Sequence, residues 1–358
     1  MAIATANTKP TAQPSFLARN WIILSVLGGV LILIVIGYFW NATVTTAVLA
    51  SSLRQSTPLI LGAMCGILCE RSGIVNIGIE GTMLMSAFTA FMANVWLSGA
   101  FYDAIAGTVP NPLIVVLVLA LLVGVLTGVV FGWLLAFMSV TLRMDQIIGG
   151  TVLNILAVGG TGYFYVQNLT TRGKFPEIPI PLLRDIPVLG PVFFENPPIT
   201  YLTLFLVGFL HYILYQTVWG LRTRAVGEHP RAADTVGINV FSVRYINVIA
   251  GSALAGLGGA YLVLEAVGSF QLGMVNGRGF VALAVMLFGK RTPIGSWGAA
   301  LLFGFATALQ TQLQFFGTLD IPHQFIGMLP YVLTILVVAG LVGRTRDPKA
   351  LGQAYKKE

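Results

Sequence analysis

Long uncharged apolar runs alternate with short polar punctuation along almost the whole chain. Runs over 21–40, 45–69, 82–97, 113–140, 146–167, 199–219, 245–267, 295–316 and 325–342 reach or approach the roughly 20 residues that cross a bilayer as a helix. The run 113–140 is long enough to require tilt or an overhanging end. Residues 280–289 are too short to cross alone, and Asn276-Gly277-Arg278-Gly279 before them has the look of an unwound entry. Residues 269–289 therefore count as one broken element, the eighth of ten predicted spans. The run 21–40 exceeds the apolar core of a signal peptide, so it is expected to be retained as the first span.

The interruptions carry the information. The second run contains Arg54-Gln55-Ser56-Thr57-Pro58, a polar cluster that interrupts it and needs partners, because an unpaired charge in lipid is expensive. Residues 70–81 are polar and punctuated by glycine, which predicts a broken or re-entrant segment. Irregular backbone at membrane depth survives only where protein or a water-filled cavity satisfies it. Residues 168–198 are rich in proline and mixed in charge, and predict an extracytoplasmic cover. Residues 220–244 are the most polar stretch between two spans. Pro230 suits the first position of a helix, and the pattern predicts a short helix from Arg231 that Gly237 stops. The division predicted is a polar N-terminal segment 1–20, one transmembrane domain 21–343 and a basic cytosolic tail 344–358.

Composition turns this pattern into a class. The chain is 56% apolar and 9% charged, against roughly 25% charged in soluble domains: it is an all-α integral membrane protein. The net charge of +7 does not signal nucleic acid, because the basic residues are dispersed over short loops and the tail. With the N-terminus inside, fifteen Lys and Arg fall on the inner side and Arg172, Lys174, Arg184 and Arg278 on the outer side, with Arg54 inside a span. That asymmetry places both termini and the 220–244 loop in the cytoplasm. Cys65 and Cys69, the two cysteines, form no disulfide framework, and no His or acid completes a metal set around them.

Candidate chemistry is sparse. Gly289-Lys290-Arg291-Thr292 lacks the glycine and the Lys-Ser/Thr pair of a phosphate cradle, so any ATP is hydrolysed by another polypeptide. His211, His229 and His323 build no catalytic triad. The chain is therefore read as a transport subunit, with no catalytic residue, metal or cofactor of its own. Two acids stand within membrane runs, Glu80 and Glu265. They either line a polar pathway or pair with arginine, Arg71 or Arg54 for Glu80 and Arg278 for Glu265. Asn76, Gln146 and Asn154 join them as pathway candidates, with helix–helix bonding as the alternative.

Four stretches resemble a known family. Leu68-Cys-Glu-Arg-Ser-Gly-Ile-Val-Asn-Ile-Gly-Ile-Glu-Gly81 is similar to a signature of ABC-importer permeases for nucleosides, within the group that also serves simple sugars and branched-chain amino acids. Arg143-Met-Asp-Gln-Ile-Ile-Gly-Gly-Thr-Val-Leu-Asn154 resembles a second hallmark. Gly227-Glu-His-Pro-Arg-Ala-Ala-Asp-Thr-Val-Gly-Ile238 resembles the coupling-helix loop, and Gly277-Arg-Gly-Phe-Val-Ala-Leu-Ala284 a fourth. The resemblance implies about ten helices in two pseudo-symmetric halves with broken helices, in a bacterial plasma membrane. It implies a cytosolic ABC ATPase that uses ATP and Mg and engages Glu228, His229, Pro230, Arg231, Asp234 and Gly237. It further implies a second, related permease and an extracytoplasmic substrate-binding protein or lipoprotein. The rivals are a simple-sugar (pentose) importer of the same design, an ion-coupled secondary transporter acting alone and a non-transporting scaffold.

Overall fold

The computed structural model describes residues 34–167, 169–316 and 346–357, together with 28, 29, 32, 325, 327, 328 and 332. Most of the expected first span and almost all of the tenth lie outside the described residues; of the first, 34–40 are helical. In chain order the helices are α1 (Ala42–Arg71), α2 (Ile79–Leu97), a short α3 (Ala100–Ile105), α4 (Pro112–Ala136), α5 (Gln146–Phe164) and α6 (Leu189–Phe193). There follow α7 (Pro198–Gln216), α8 (Val218–Glu228), α9 (Pro230–Thr235), α10 (Val240–Tyr261), α11 (Arg278–Phe288) and α12 (Pro293–Phe316). Wider π turns extend α4 through Phe137–Thr141 and α10 through Leu262–Val267. Among the described residues four helical stretches are long and apolar enough to cross a membrane: Pro112–Thr141, Gln146–Phe164, Pro198–Gln216 and Val240–Val267.

Two helices form the axis of the fold. α10 packs against α4, α1 and α2, while α1 also contacts α12 and α11. Most of α10 is buried, whereas α5 turns Ile147, Ile148, Ile155 and Val158 outward. Small residues set the closest approach. A Cβ on Gly128 would lie 2.8 Å from Cα of Gly256, and one on Gly132 would lie 2.6 Å from Cβ of Ser252. Gly124, Gly128 and Gly132 of α4 thus face Ser252, Gly256 and Ala260 of α10. In lipid this close van der Waals packing replaces the hydrophobic drive that water would supply.

The polar cluster in the second run does not interrupt its helix, contrary to the sequence expectation. α1 runs unbroken for 30 residues with Pro58 inside it. Proline has no N–H for the carbonyl four residues back, and here that carbonyl, on Arg54, accepts a hydrogen bond of 2.7 Å from the Tyr261 hydroxyl. Ser56 and Thr57 turn their hydroxyls onto the carbonyl of Leu53 at 2.7 and 3.1 Å. The helix continues because its neighbour repairs it.

The sixth run ends three residues earlier than expected. Thr217 adopts extended backbone and its hydroxyl accepts from the N–H of Gly220, so α8 begins as a new helix. Most of 220–244 is therefore helical rather than loop. The cover segment holds the two-residue strands β1 (Ile178–Pro179) and β2 (Glu195–Asn196), antiparallel with Ile178 opposite Asn196. Arg54 fastens β2 to α1, donating to Glu195 O at 2.9 Å and Asn196 Oδ1 at 3.3 Å, and it pairs with Glu177 at 2.6 Å.

Candidate functional site

Two breaks in the helical framework organise the interior. The first, residues 72–78, lies between α1 and α2; the second, 268–277, lies between the π end of α10 and α11. The chain must find partners for the freed peptide groups, and the polar residues singled out in the sequence supply them. Gln146 Oε1 accepts from the N–H of Val75 at 2.7 Å. Asn154 accepts from Gly81 N at 2.7 Å and donates to Ile77 O at 3.1 Å. Asn76 is buried and directs its amide at the Sγ atoms of Cys65 and Cys69, 3.5 and 3.7 Å away.

Both membrane acids cap helices. The Glu80 carboxylate, in the first turn of α2, accepts from Gly277 N at 2.8 Å and Gly279 N at 2.7 Å, at the start of α11. It ties the far edge of one break to the far edge of the other. Glu265 accepts from Ile199 N at 2.8 Å, Thr200 N at 3.2 Å and the Thr200 hydroxyl at 2.5 Å, at the start of α7. The first N–H groups of a helix have no partner within it and carry its positive dipole end, so a carboxylate is well placed there. Of the arginines proposed as partners, Arg54 holds the cover, Arg71 donates to Tyr215 and to Arg291 O, and Arg278 donates to Met274 O and Val275 O.

A polar cavity opens between the cover, α1 and the second break. Its volume is about 610 Å³, with Gln55 and Arg54 on one wall, Gln271, Asn276 and Arg278 opposite, and Phe175 and Glu177 above. A second cavity of about 440 Å³ adjoins it around α11, between Leu59 of α1 and Thr307 and Gln310 of α12. Gln55, Asn276 and Arg278 belong to both walls. Cavities of this size suit small solutes. Of the five pathway candidates, Glu265 lies in the wall of the larger cavity; Asn76, Glu80, Gln146 and Asn154 lie in neither wall. Gln55, Asn276, Arg278 and Gln310 were not among the candidates. Their signal was in the sequence, a Gln beside an intramembrane proline and an Asn-Gly-Arg-Gly entry, but was read as interruption rather than as lining.

Leu59, Val281 and Phe303 lie on the inward edge of the smaller cavity. Beyond them α11 closes on α1: a Cβ on Gly62 would stand 2.7 Å from Ala282 Cβ, and one on Gly66 would stand 2.8 Å from Met286 Sδ. On that side α1 and α11 leave no room for a side chain between them.

At the end away from the cover α9 is a six-residue helix with Pro230 at its start and His229 as its N-cap. Gly237, at φ +84°, ends it. Gly237 N donates to Asp234 O at 2.9 Å and Ile238 N to Ala233 O at 3.0 Å, a Schellman pair. Glu228 closes α8, Asp234 lies 3.8 Å from Lys357, and Arg231 faces outward. The six docking candidates thus sit together on one short, capped element. Behind it, buried Arg291 pairs with Glu70 and, at 2.8 Å, with Asp347.

A helical membrane protein with a polar interior cavity walled by broken helices is by class a solute permease. The chain belongs to the family described as branched-chain amino acid transport system / permease component, whose model matches residues 48–338. It is 39% identical to the guanosine ABC transporter permease protein NupQ of Bacillus subtilis, over 88% of this chain and 98% of that one. It is also 39% identical to the nucleoside ABC transporter permease protein NupC of Lactococcus lactis, over 87% and 96%. A second guanosine ABC transporter permease protein of Bacillus subtilis, NupP, is 27% identical over 79% of this chain and 82% of its own. No solved structure matches the chain.

Proposed function

We propose that the chain is the membrane-spanning permease of an ATP-driven nucleoside importer. The observation that carries this is the 39% identity, over nearly the full length of both partners, to two permeases of nucleoside transporters. The polar cavity agrees with it, since a nucleoside needs hydrogen-bonding amides and a volume of this order. Ten spans in two pseudo-symmetric halves accommodate the pattern: α1, break, α2 in one half and α10, break, α11 in the other, the arrangement in which repeat-built transporters place their site.

A cytosolic ABC ATPase binding ATP and Mg would engage Glu228, His229, Pro230, Arg231, Asp234 and Gly237. A second permease, related but not identical, completes the pathway; that one bacterium holds both NupQ and NupP supports a mixed pair. An extracytoplasmic binding protein delivers the solute. The assembly sits in the bacterial plasma membrane with both termini of this chain in the cytoplasm. ATP binding shifts the permease between states through its differential affinity for them.

The test is reconstitution of the chain with its co-purifying subunits in liposomes. Labelled guanosine enters only with ATP, the binding protein and both permeases. Uptake of a pentose in its place makes the chain a sugar permease; uptake by the chain alone, following an ion gradient, removes the reading. Arg231→Glu and Asp234→Ala insert normally and lose ATP-driven uptake; full uptake in both removes α9 from the coupling.

A further inference from the structure

The basic C-terminal segment is built into the cytosolic face rather than trailing from it. Ala350 N donates to Gly227 O at 3.0 Å, and Gly352 N to Gly73 O at 3.1 Å within the first break. Arg244, buried in the second turn of α10, donates to Gln353 O at 2.9 Å. Asp347 reaches Arg291 in the turn between α11 and α12. Tyr355 is buried edge-on against Phe241, in a small cluster with Val226, Ala233, Val240 and Val243. One strand of chain thereby joins α8, α9, α10, the first break and the α11–α12 turn.

The segment also makes a groove with α9. A cavity of about 490 Å³ lies between Pro230, Arg231 and Ala232 on one wall and Lys349, Ala354 and Lys356 on the other. Glu228 also lines it, exposed and accepting only a long bond of 3.4 Å from the N–H of Lys349, but Arg231, Lys349 and Lys356 outnumber it in the lining; Asp234 lies 3.8 Å from Lys357. The rim is left basic, and charge complementarity calls for carboxylates on whatever enters.

We propose that residues 346–357 form the second wall of the ATPase-docking site, so that an acidic segment of the ATPase seats between α9 and the C-terminal segment. Movement of that segment is passed directly to Gly73 in the first break through the Gly352 hydrogen bond. This rests on the reading of α9 as the coupling helix.

The experiment uses the assembled transporter in native membranes. Ala232→Cys and Ala354→Cys each place one exposed thiol in a chain whose natural cysteines, Cys65 and Cys69, are 0% exposed, and a short bifunctional thiol reagent is applied. Both are expected to cross-link to the ATPase. The double variant Lys349→Glu/Lys356→Glu is expected to lower the ATPase recovered with the chain about tenfold, a loss of roughly 1.4 kcal/mol, with recovery of the second permease unchanged.

Cross-linking from Ala232→Cys alone, with normal ATPase recovery in the double variant, overturns the two-walled site and leaves α9 standing. Absence of any ATPase with the unaltered chain overturns the importer reading itself. If the double variant keeps its ATPase but loses retention on phosphatidylglycerol vesicles, the groove is a lipid site and the proposal fails. Should the double variant not insert, the Ala354→Cys cross-link decides.

Discussion

Single residues here do the work of missing backbone partners. Glu80 is the sharpest case, since its two oxygens serve Gly277 N and Gly279 N. Glu80→Ala leaves one half-buried N–H, on Gly277, and one buried N–H, on Gly279, unpaired, at about 1–3 kcal/mol for each group left without a partner. Thermal unfolding in detergent is expected to show a clear drop in midpoint for Glu80→Ala and a smaller one for Glu80→Gln, whose amide oxygen still accepts. Uptake lost without a drop in midpoint in either variant would give Glu80 a role in the pathway instead. Gln55 and Asn276 are the opposite case, with their side chains in the walls of both cavities. A neutral hydrogen bond contributes about 0.5–1.5 kcal/mol, so Gln55→Leu and Asn276→Leu should each raise the KM for uptake by roughly threefold to tenfold. Recovery of the ATPase with the chain should be unaltered, and an unchanged KM in both would take the cavity out of the pathway.

Elements are held at distances that side chains forbid. α4 and α10 meet at Gly128 and Gly256, so Gly128→Leu cannot be accommodated without parting the two helices. Overpacking of this kind costs about 1–3 kcal/mol or more, and gel filtration of the detergent-solubilised chain should show aggregation where Gly149→Leu, beside flexible Leu135 and Met138 side chains, does not. Much of this framework was legible in the sequence. Apolar run length gave α4 with its π turns to within a residue and α5 to within three, and it gave the end of α10 at Val267 though α10 starts five residues before the expected Tyr245; Pro230 with Gly237 gave α9 its start and stop. The continuity of α1 was not legible, because what rescues Pro58 is Tyr261, remote in sequence. The acids were read as lining a pathway or facing arginines, and their capping role was missed for the same reason: their partners are peptide N–H groups, which carry no letter in the sequence. The separation of α8 from α7 turned on Thr217, a single residue whose hydroxyl caps a helix that hydrophobicity alone does not show.

At the scale of the molecule the proposed alternating-access cycle makes this structure one of its stages. Both cavities lie towards the cover, and beneath them α11 is clamped on α1 through Gly62 with Ala282 and Gly66 with Met286. Release of a solute inward requires that clamp to part. α11 can move as a unit, because it is short, is joined through the second break and is held at its start by Glu80, while its inner end runs into the Glu70–Arg291–Asp347 cluster that the C-terminal segment also reaches. If the proposed ATPase docks at α9, its movement and the α1–α11 contact meet at Arg291. Met286→Cys, at a position 0% exposed in this state, reports the gate. In the reconstituted complex its thiol should resist a membrane-impermeant maleimide at rest and react during ATP turnover with solute present, while Gln55→Cys in the cavity wall reacts at rest. The two rates should converge under turnover by roughly tenfold or more, since a gate that opens must shift its population by that order for transport to proceed. Equal labelling of both positions at rest would mean that the α1–α11 contact is not the seal, and that inward closure must be sought between this chain and the second permease.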